Sequence, residues 1–396
     1  MGNIVLPNKG VVVNVVMVLL LYLAAWIFMN ESLLSIVLYI IIPFVFVLSI
    51  ISCGNPFRNN RYLTQLLVLY AWIGLTYVGA MYVIEAKTQM KQIIGVILLC
   101  SVFANLAKNK KLIPWLYGVY IVYYIGILRF AQQTILNEIT IFEERLDGEG
   151  MNANMLAYFT FYATMAIYML GECINKWPYV RRVFRLLFIA TIALSFFVAM
   201  LTASRQVMIL QTPLYLILMY ARYATKSFKG FLLILVVTVC LILSYSDLII
   251  HLYDGSLLQE RNQMSIEDDE RTLVIKEAVK YGFENPLFGL GPGNFVKYSS
   301  YNVFSHCTYT ELFANSGLFA VLIYVILLFR FIWTQWLRYI RSKQIPYLIF
   351  CIFGVFFVVD NFFYVFYNGL WLMGFFVLVA THSETYYHQD KTLIRP

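Results

Sequence analysis

Apolar runs of close to 20 residues recur from one end of this chain to the other, and they constrain its fold more than any other feature. A helix of that length crosses about 30 Å of hydrocarbon. Inside hydrocarbon every backbone polar group must be satisfied within the protein, which leaves helices and closed barrels. A barrel would show short segments of alternating hydrophobicity, whereas these runs are continuous. Composition agrees, with 61% hydrophobic and 13% charged residues, against about 25% charged in soluble domains. The expected fold class is all-α: a polytopic membrane protein forming a single integral membrane domain over 1–396.

Spans are expected near 11–28, 33–52, 62–84, 92–107, 112–130, 153–171, 186–202, 206–221, 230–246, 310–329, 345–366 and 369–381, about twelve in all. The first follows Lys9 and leads directly into others, so it reads as a span rather than a cleaved signal segment. Every second connection is basic, for example Lys108/Lys110/Lys111, Arg181/Arg182/Arg185 and Arg338/Arg341/Lys343. Lys- and Arg-rich loops stay cytoplasmic, which places both termini inside. The formal net charge of +8 then divides into a strongly positive inner side and a negative outer side. Membrane anchoring accounts for the basic balance, and no nucleic acid is called for. The six cysteines are scattered singly, and only Cys307 falls clearly outside, so neither a disulfide framework nor a metal site is expected.

Two outer connections are long, 131–152 and 247–309, and long loops are usually functional. In the second, "SIEDDERTLVIKEAVKYGFENP" (265–286) reads as a helix. Ser265 and Asp268 have capping-box spacing, acids fill the first turn, Lys276 and Lys280 the last, and Gly282 and Pro286 stop it. At 100° per residue Arg271 shares the apolar face with Val274, Ile275 and Ala278, while Asp269, Lys276 and Lys280 lie opposite. An arginine on a packed face needs an anion. A protein carboxylate and an anionic substrate group are equally good readings of it.

"ENPLFGLGPGNF" (284–295) follows. It lacks the strand-turn-helix setting of a nucleotide loop. It reads as a tight connector, a hinge between the Arg271 helix and the span opened by His306, with substrate contact at Gly291 and Gly293 as a secondary role. Thr308 and Glu311 again have capping-box spacing. An interfacial histidine usually has no task; the place of His306 at a helix mouth on the loop-bearing side argues for one. Packing is the stronger reading for the tyrosines of 298–309.

The order of these pieces resembles the O-antigen polymerase and O-antigen ligase superfamily of bacterial envelope glycosyltransferases. The correspondence runs through Arg271, "PLFGLGPGNF" (286–295), His306 and Gly317, with "NMLA" (154–157) and "TASR" (202–205) upstream, and covers roughly 145–320. Cys307 departs from the Asn, Ser or Gln that commonly follows the histidine, and Ala320 from a frequent Gly, Thr or Tyr. The resemblance implies transfer of a glycan from a polyprenyl-diphosphate carrier to an acceptor hydroxyl at the outer face of the inner membrane. It implies partners to match: the lipid-linked glycan, the bilayer, a flippase and a chain-length regulator.

That chemistry needs positive charge for the departing diphosphate and a base that works near neutral pH. Arg205 and Arg271 suit the first role, with Arg145 a weaker third. His306 is the candidate base. Asn154, Arg205 and His306 open spans whose N-termini face outward, where free N–H groups and the helix dipole attract phosphate. Glu311 would orient the histidine or merely cap its helix. No cofactor is implied, and metal independence is expected. A single displacement would invert the anomeric centre. A polymerase joining lipid-linked repeat units is the first reading, and a ligase with lipid A–core as acceptor is the alternative. A flippase or transporter is the alternative of another class. Against it stands the scarcity of mid-span charge, Asp360 and Arg129 lying near predicted ends.

Overall fold

A computed structural model describes residues 9–28, 30–136, 153–174, 178–201, 205–220 and 270–393, with isolated positions at 229, 232 and 236. The described residues are helical, with no strand among them. The helices are α1 (Lys9–Ile27), α2 (Glu31–Ile36, then a π turn at Val37–Ile41, then Ile42–Cys53), α3 (Arg61–Thr76) and α4 (Val83–Leu106). Next come α5 (Ile113–Leu136), α6 (Ala153–Cys173), α7 (Pro178–Leu201) and α8 (Arg205–Met219). The last five are α9 (Glu270–Glu284), α10 (Phe295–Tyr298), α11 (Thr308–Ser342), α12 (Ile345–Asp360) and α13 (Leu370–Leu393). Among the described residues five helices are long and apolar enough to cross a membrane: Gly10–Ile27, Ser32–Cys53, Arg61–Gly79, Val83–Leu106 and Thr308–Ser342. Shorter apolar helices lie at Ile113–Arg129, Leu210–Met219 and Ile345–Asp360. These helices support a multi-pass membrane protein.

Several expected boundaries move. The third span ends at Thr76 in a single 3-10 turn, and α4 starts at Val83, nine residues before the expected 92. The polar run Glu85–Lys91, expected as a loop, is therefore the first two turns of α4. Propensity and tertiary packing override local polarity there. Helix α12 stops at Asp360 rather than 366, and α13 continues past 381 to Leu393. Helix α5 runs six residues into the expected 131–152 loop. Residues 137–152 and 237–269, and with them Arg145 and the Ser265–Asp268 pair, lie outside the described residues, as does most of the expected 230–246 span.

Between α12 and α13 the backbone of 361–369 is irregular yet largely buried. Non-helical backbone inside a bundle persists only where protein satisfies its polar groups. Two buried tyrosines reach into this region, Tyr70 Oη donating to Tyr367 O (2.6 Å) and Tyr324 Oη to Asn361 Oδ1 (2.8 Å), and a third, Tyr120, donates to Trp371 O (2.9 Å) at the start of α13. Each bond satisfies a hydroxyl whose burial would otherwise be unfavourable. At the opposite end of the bundle Glu384 of α13 bridges Arg61 of α3 (2.8 Å) and Arg338 of α11 (2.7 Å), and Arg338 lies over the Tyr387 ring. Two cations on one carboxylate staple three helices together on the basic face.

Candidate functional site

Helix α9 is oriented as its periodicity predicts. Val274 and Ala278 are buried against Leu290, Phe295 and Ala314, while Lys276 and Lys280 are exposed. Gly282 does not stop the helix, which continues to Glu284. It allows close packing instead, since a Cβ there would meet the Phe313 ring at 2.3 Å.

The glycine-rich segment is built into a broken helix. At Gly317 the backbone of α11 leaves helical geometry (φ 75°, ψ −178°). In an unbroken helix Leu318 N–H would bond Ala314 O, four residues back. Here Leu318 N–H bonds Pro286 O (2.8 Å), and Ala314 O accepts from Leu290 N–H (2.8 Å). Asn315 O accepts from Gly291 N–H (2.9 Å), and Ser316 O from the Trp72 indole (2.9 Å). The groups freed by the break are thus satisfied by the loop and by α3, as buried backbone must be. Contact this close requires missing side chains: a Cβ on Gly317 would sit 2.1 Å from Leu287 O, and one on Gly291 2.6 Å from Ala80 Cβ.

This corrects two expectations. The segment is a plug fixed in the α11 break rather than a hinge. Gly291 has its N–H engaged by Asn315, so it packs the loop rather than offering a donor to substrate. Further latches hold the plug to the α3–α4 turn: Asn294 Oδ1 accepts from Tyr82 N–H (2.8 Å), and Lys297 pairs with Glu85 (3.4 Å). Tyr298 packs against Tyr82 and Tyr281.

His306 immediately precedes α11 with φ +57°, in the left-handed region. Neighbours on both sides fix it there. Glu311 is buried and accepts from Ser305 N–H (2.7 Å) and Asn315 Nδ2 (2.8 Å). Thr308 N–H donates to Asn361 O (2.8 Å), and its hydroxyl donates to Tyr364 O (2.8 Å) and accepts from Phe366 N–H (2.9 Å). The expected capping box is therefore not formed: the N-cap is Cys307, without a side-chain bond. Thr308 stitches α11 to the 361–366 segment, and Glu311 acts on the backbone just before His306. The His306 ring lies 4.3 Å from that of Phe304.

Arg271 is half-buried, and its charge acts on the Tyr158 hydroxyl of α6. Tyr158 packs against Tyr364 (5.6 Å) and Phe366 (6.2 Å), the two residues that the Thr308 hydroxyl binds. Tyr158 and the 364–366 segment thus connect Arg271 with the residues that flank His306. Asp360 is there too: it also acts on Tyr158, and it accepts from Tyr162 Oη (3.2 Å). Sequence reasoning noted Asp360 only for its position. A lone carboxylate in the apolar run of 345–366 was the signal that could have found it. Tyr158 and Tyr162, ordinary members of an aromatic-rich span, carried no such signal.

Arg205 and Asn154 open α8 and α6 as expected, and their side chains lie outside the described residues. The two helices are in contact, Phe161 of α6 packing on Tyr215 of α8 at 6.3 Å. Among the described residues no cluster of three or more His, Cys, Asp or Glu could hold a metal ion.

Residues 190–325, about a third of the chain, match the family model Wzy_C, described as O-antigen ligase. No curated protein matches the chain. The matched stretch contains Arg205, Arg271, the glycine-rich plug, His306 and Gly317, and leaves Arg145 and Asn154 outside. This match bears out the resemblance read from the motifs and supports a multi-pass membrane enzyme of the O-antigen polymerase and ligase superfamily.

Proposed function

We propose that the protein is a polysaccharide polymerase acting at the outer face of the bacterial inner membrane. It transfers a glycan from a polyprenyl-diphosphate carrier to a hydroxyl of a second lipid-linked repeat unit. The observation that carries this reading is His306, held in a left-handed backbone conformation by the flanking Glu311 and Thr308 bonds, beside the Arg271 neighbourhood. Strained residues persist where their surroundings over-determine them, and they cluster at active sites.

In the reaction the acceptor oxygen attacks the anomeric carbon while the bond from that carbon to the diphosphate oxygen breaks. The bonding pair leaves on the diphosphate. His306 takes the hydroxyl proton. Arg271 and Arg205 stabilise the charge developing on the leaving group, which is worth most where water is excluded. A single displacement of this kind inverts the anomeric centre and requires no metal or cofactor.

Purified protein supplied with lipid-linked repeat units alone tests the reading. Chain growth supports it, and loss of growth in His306→Ala assigns the base. The family description favours a second reading, ligation to lipid A–core. No product until lipid A–core is added would replace polymerase with ligase. Accumulation of single lipid-linked units at the inner face in His306→Ala cells would point to flipping instead.

A further inference from the structure

A cavity of about 550 Å³ opens beneath the plug, lined by α2, α4 and the start of α13 among others. Its charge is informative. Among the described residues Glu85 and Glu311 are its only charged lining residues, with no Lys, Arg or His beside them in the lining. A diphosphate finds no cationic lining there among the described residues, and Glu85 is itself paired with Lys297. The remaining polar lining includes three amides, Gln89, Gln92 and Asn368, and the Thr88 hydroxyl, set among aromatic and aliphatic walls. Two wall residues, Tyr123 and Trp371, also hold buried polar atoms (Oη and Nε1) with no hydrogen-bond partner. Buried polar groups without partners are rare and call for an explanation. The three amides and the Thr88 hydroxyl offer a polyhydroxylated ligand hydrogen bonds that a lipid tail cannot use.

The cavity also borders the proposed base. Phe304 lines it and touches the His306 ring, and Glu311 lines it while holding the backbone at Ser305. We infer that this cavity is the acceptor subsite. It binds an uncharged sugar ring of the acceptor through the Gln89, Gln92 and Asn368 amides and presents one hydroxyl to His306. Pockets of roughly 300–1,000 Å³ with apolar walls and a few placed polar groups have this character. The inference rests on the glycosyl-transfer reading above.

The test uses the full-length protein in detergent and the free repeat-unit oligosaccharide, which carries neither lipid nor diphosphate. Its binding is followed by saturation-transfer NMR and its use as acceptor by turnover at fixed donor. Gln92 and Thr88 are exposed positions on α4 that line the cavity. Gln92→Ala, Asn368→Ala and the cavity-filling Thr88→Trp should each weaken oligosaccharide binding at least tenfold. They should raise the acceptor KM similarly and leave the donor KM within twofold. His306→Ala should bind the oligosaccharide normally while losing turnover, so the two ideas fail separately. Turnover surviving in His306→Ala would sink the catalytic reading but leave the subsite standing. No oligosaccharide binding by the wild-type protein, or a loss confined to the donor KM, would overturn the subsite.

Discussion

Replacing Gly317 by alanine is the most direct challenge to the idea that the plug and the broken helix form one unit. The backbone at φ 75°, ψ −178° belongs to a region used almost only by glycine. Holding another residue there costs about 1–3 kcal/mol. The new Cβ would lie 2.1 Å from Leu287 O and 2.4 Å from Leu287 C, both backbone atoms with no rotamer to change. Overpacking of this kind adds about 1–3 kcal/mol. Together these give a loss of roughly 2–6 kcal/mol unless the plug retreats. Relieving the contact means a shift of about 1 Å, and a misplacement of about 1 Å can cost on the order of 10²-fold in rate. The shift would also strain the Leu318–Pro286, Leu290–Ala314 and Gly291–Asn315 bonds. The assay is thermal unfolding of purified protein alongside polymer formation. Gly79→Ala serves as control, because nothing lies within 4 Å of its Cβ position. We expect Gly317→Ala to unfold well below wild type and to lose about two orders of magnitude in rate, with Gly79→Ala close to wild type in both. Wild-type unfolding and wild-type rate in Gly317→Ala would refute the plug.

The other expectations concern charge and strain. Because His306 sits at φ +57°, His306→Gly should be more stable than His306→Ala by about 1–2 kcal/mol, with both inactive; equal melting temperatures would remove the strain argument. Arg271→Ala should lower the rate about 10²–10³-fold, with Arg271→Lys intermediate because it keeps the charge and loses the fork; an unchanged rate in Arg271→Ala would exclude a leaving-group role. Glu277 of α9 accepts from Ser300 Oγ (2.6 Å) and N–H (3.1 Å). Burial pushes its carboxyl up, but the Ser300 bonds prevail and hold it below the ordinary 4.5. A depressed carboxyl stabilises the fold above its unfolded value and loses that contribution as pH falls through the folded one. Wild type should therefore exceed Glu277→Gln in melting temperature at neutral pH, with the gap closing as pH drops below 4.5; a gap that persists in acid would refute the linkage.

The apolar runs determined by themselves that this chain is a helical membrane protein, because hydrocarbon demands internal pairing of every backbone group. Helical periodicity also placed Arg271 on the packed face of α9, since one helix and its nearest residues decide that. The order Arg271, glycine-rich segment, His306, Gly317 was enough to suggest the resemblance that the family match over residues 190–325 supports. Tertiary structure alone decided what the glycines do. Whether Gly291 N–H is free for a ligand depends on a carbonyl at Asn315, and whether α11 is continuous depends on Pro286 and Leu287. The same holds for Thr308, whose spacing with Glu311 promised a local cap and whose bonds instead tie the histidine segment to residues 361–366. Hydrogen-bond partners dozens to hundreds of residues apart leave no local period. The folded chain assigned them by the requirement that no buried polar group at the helix break stay unpaired.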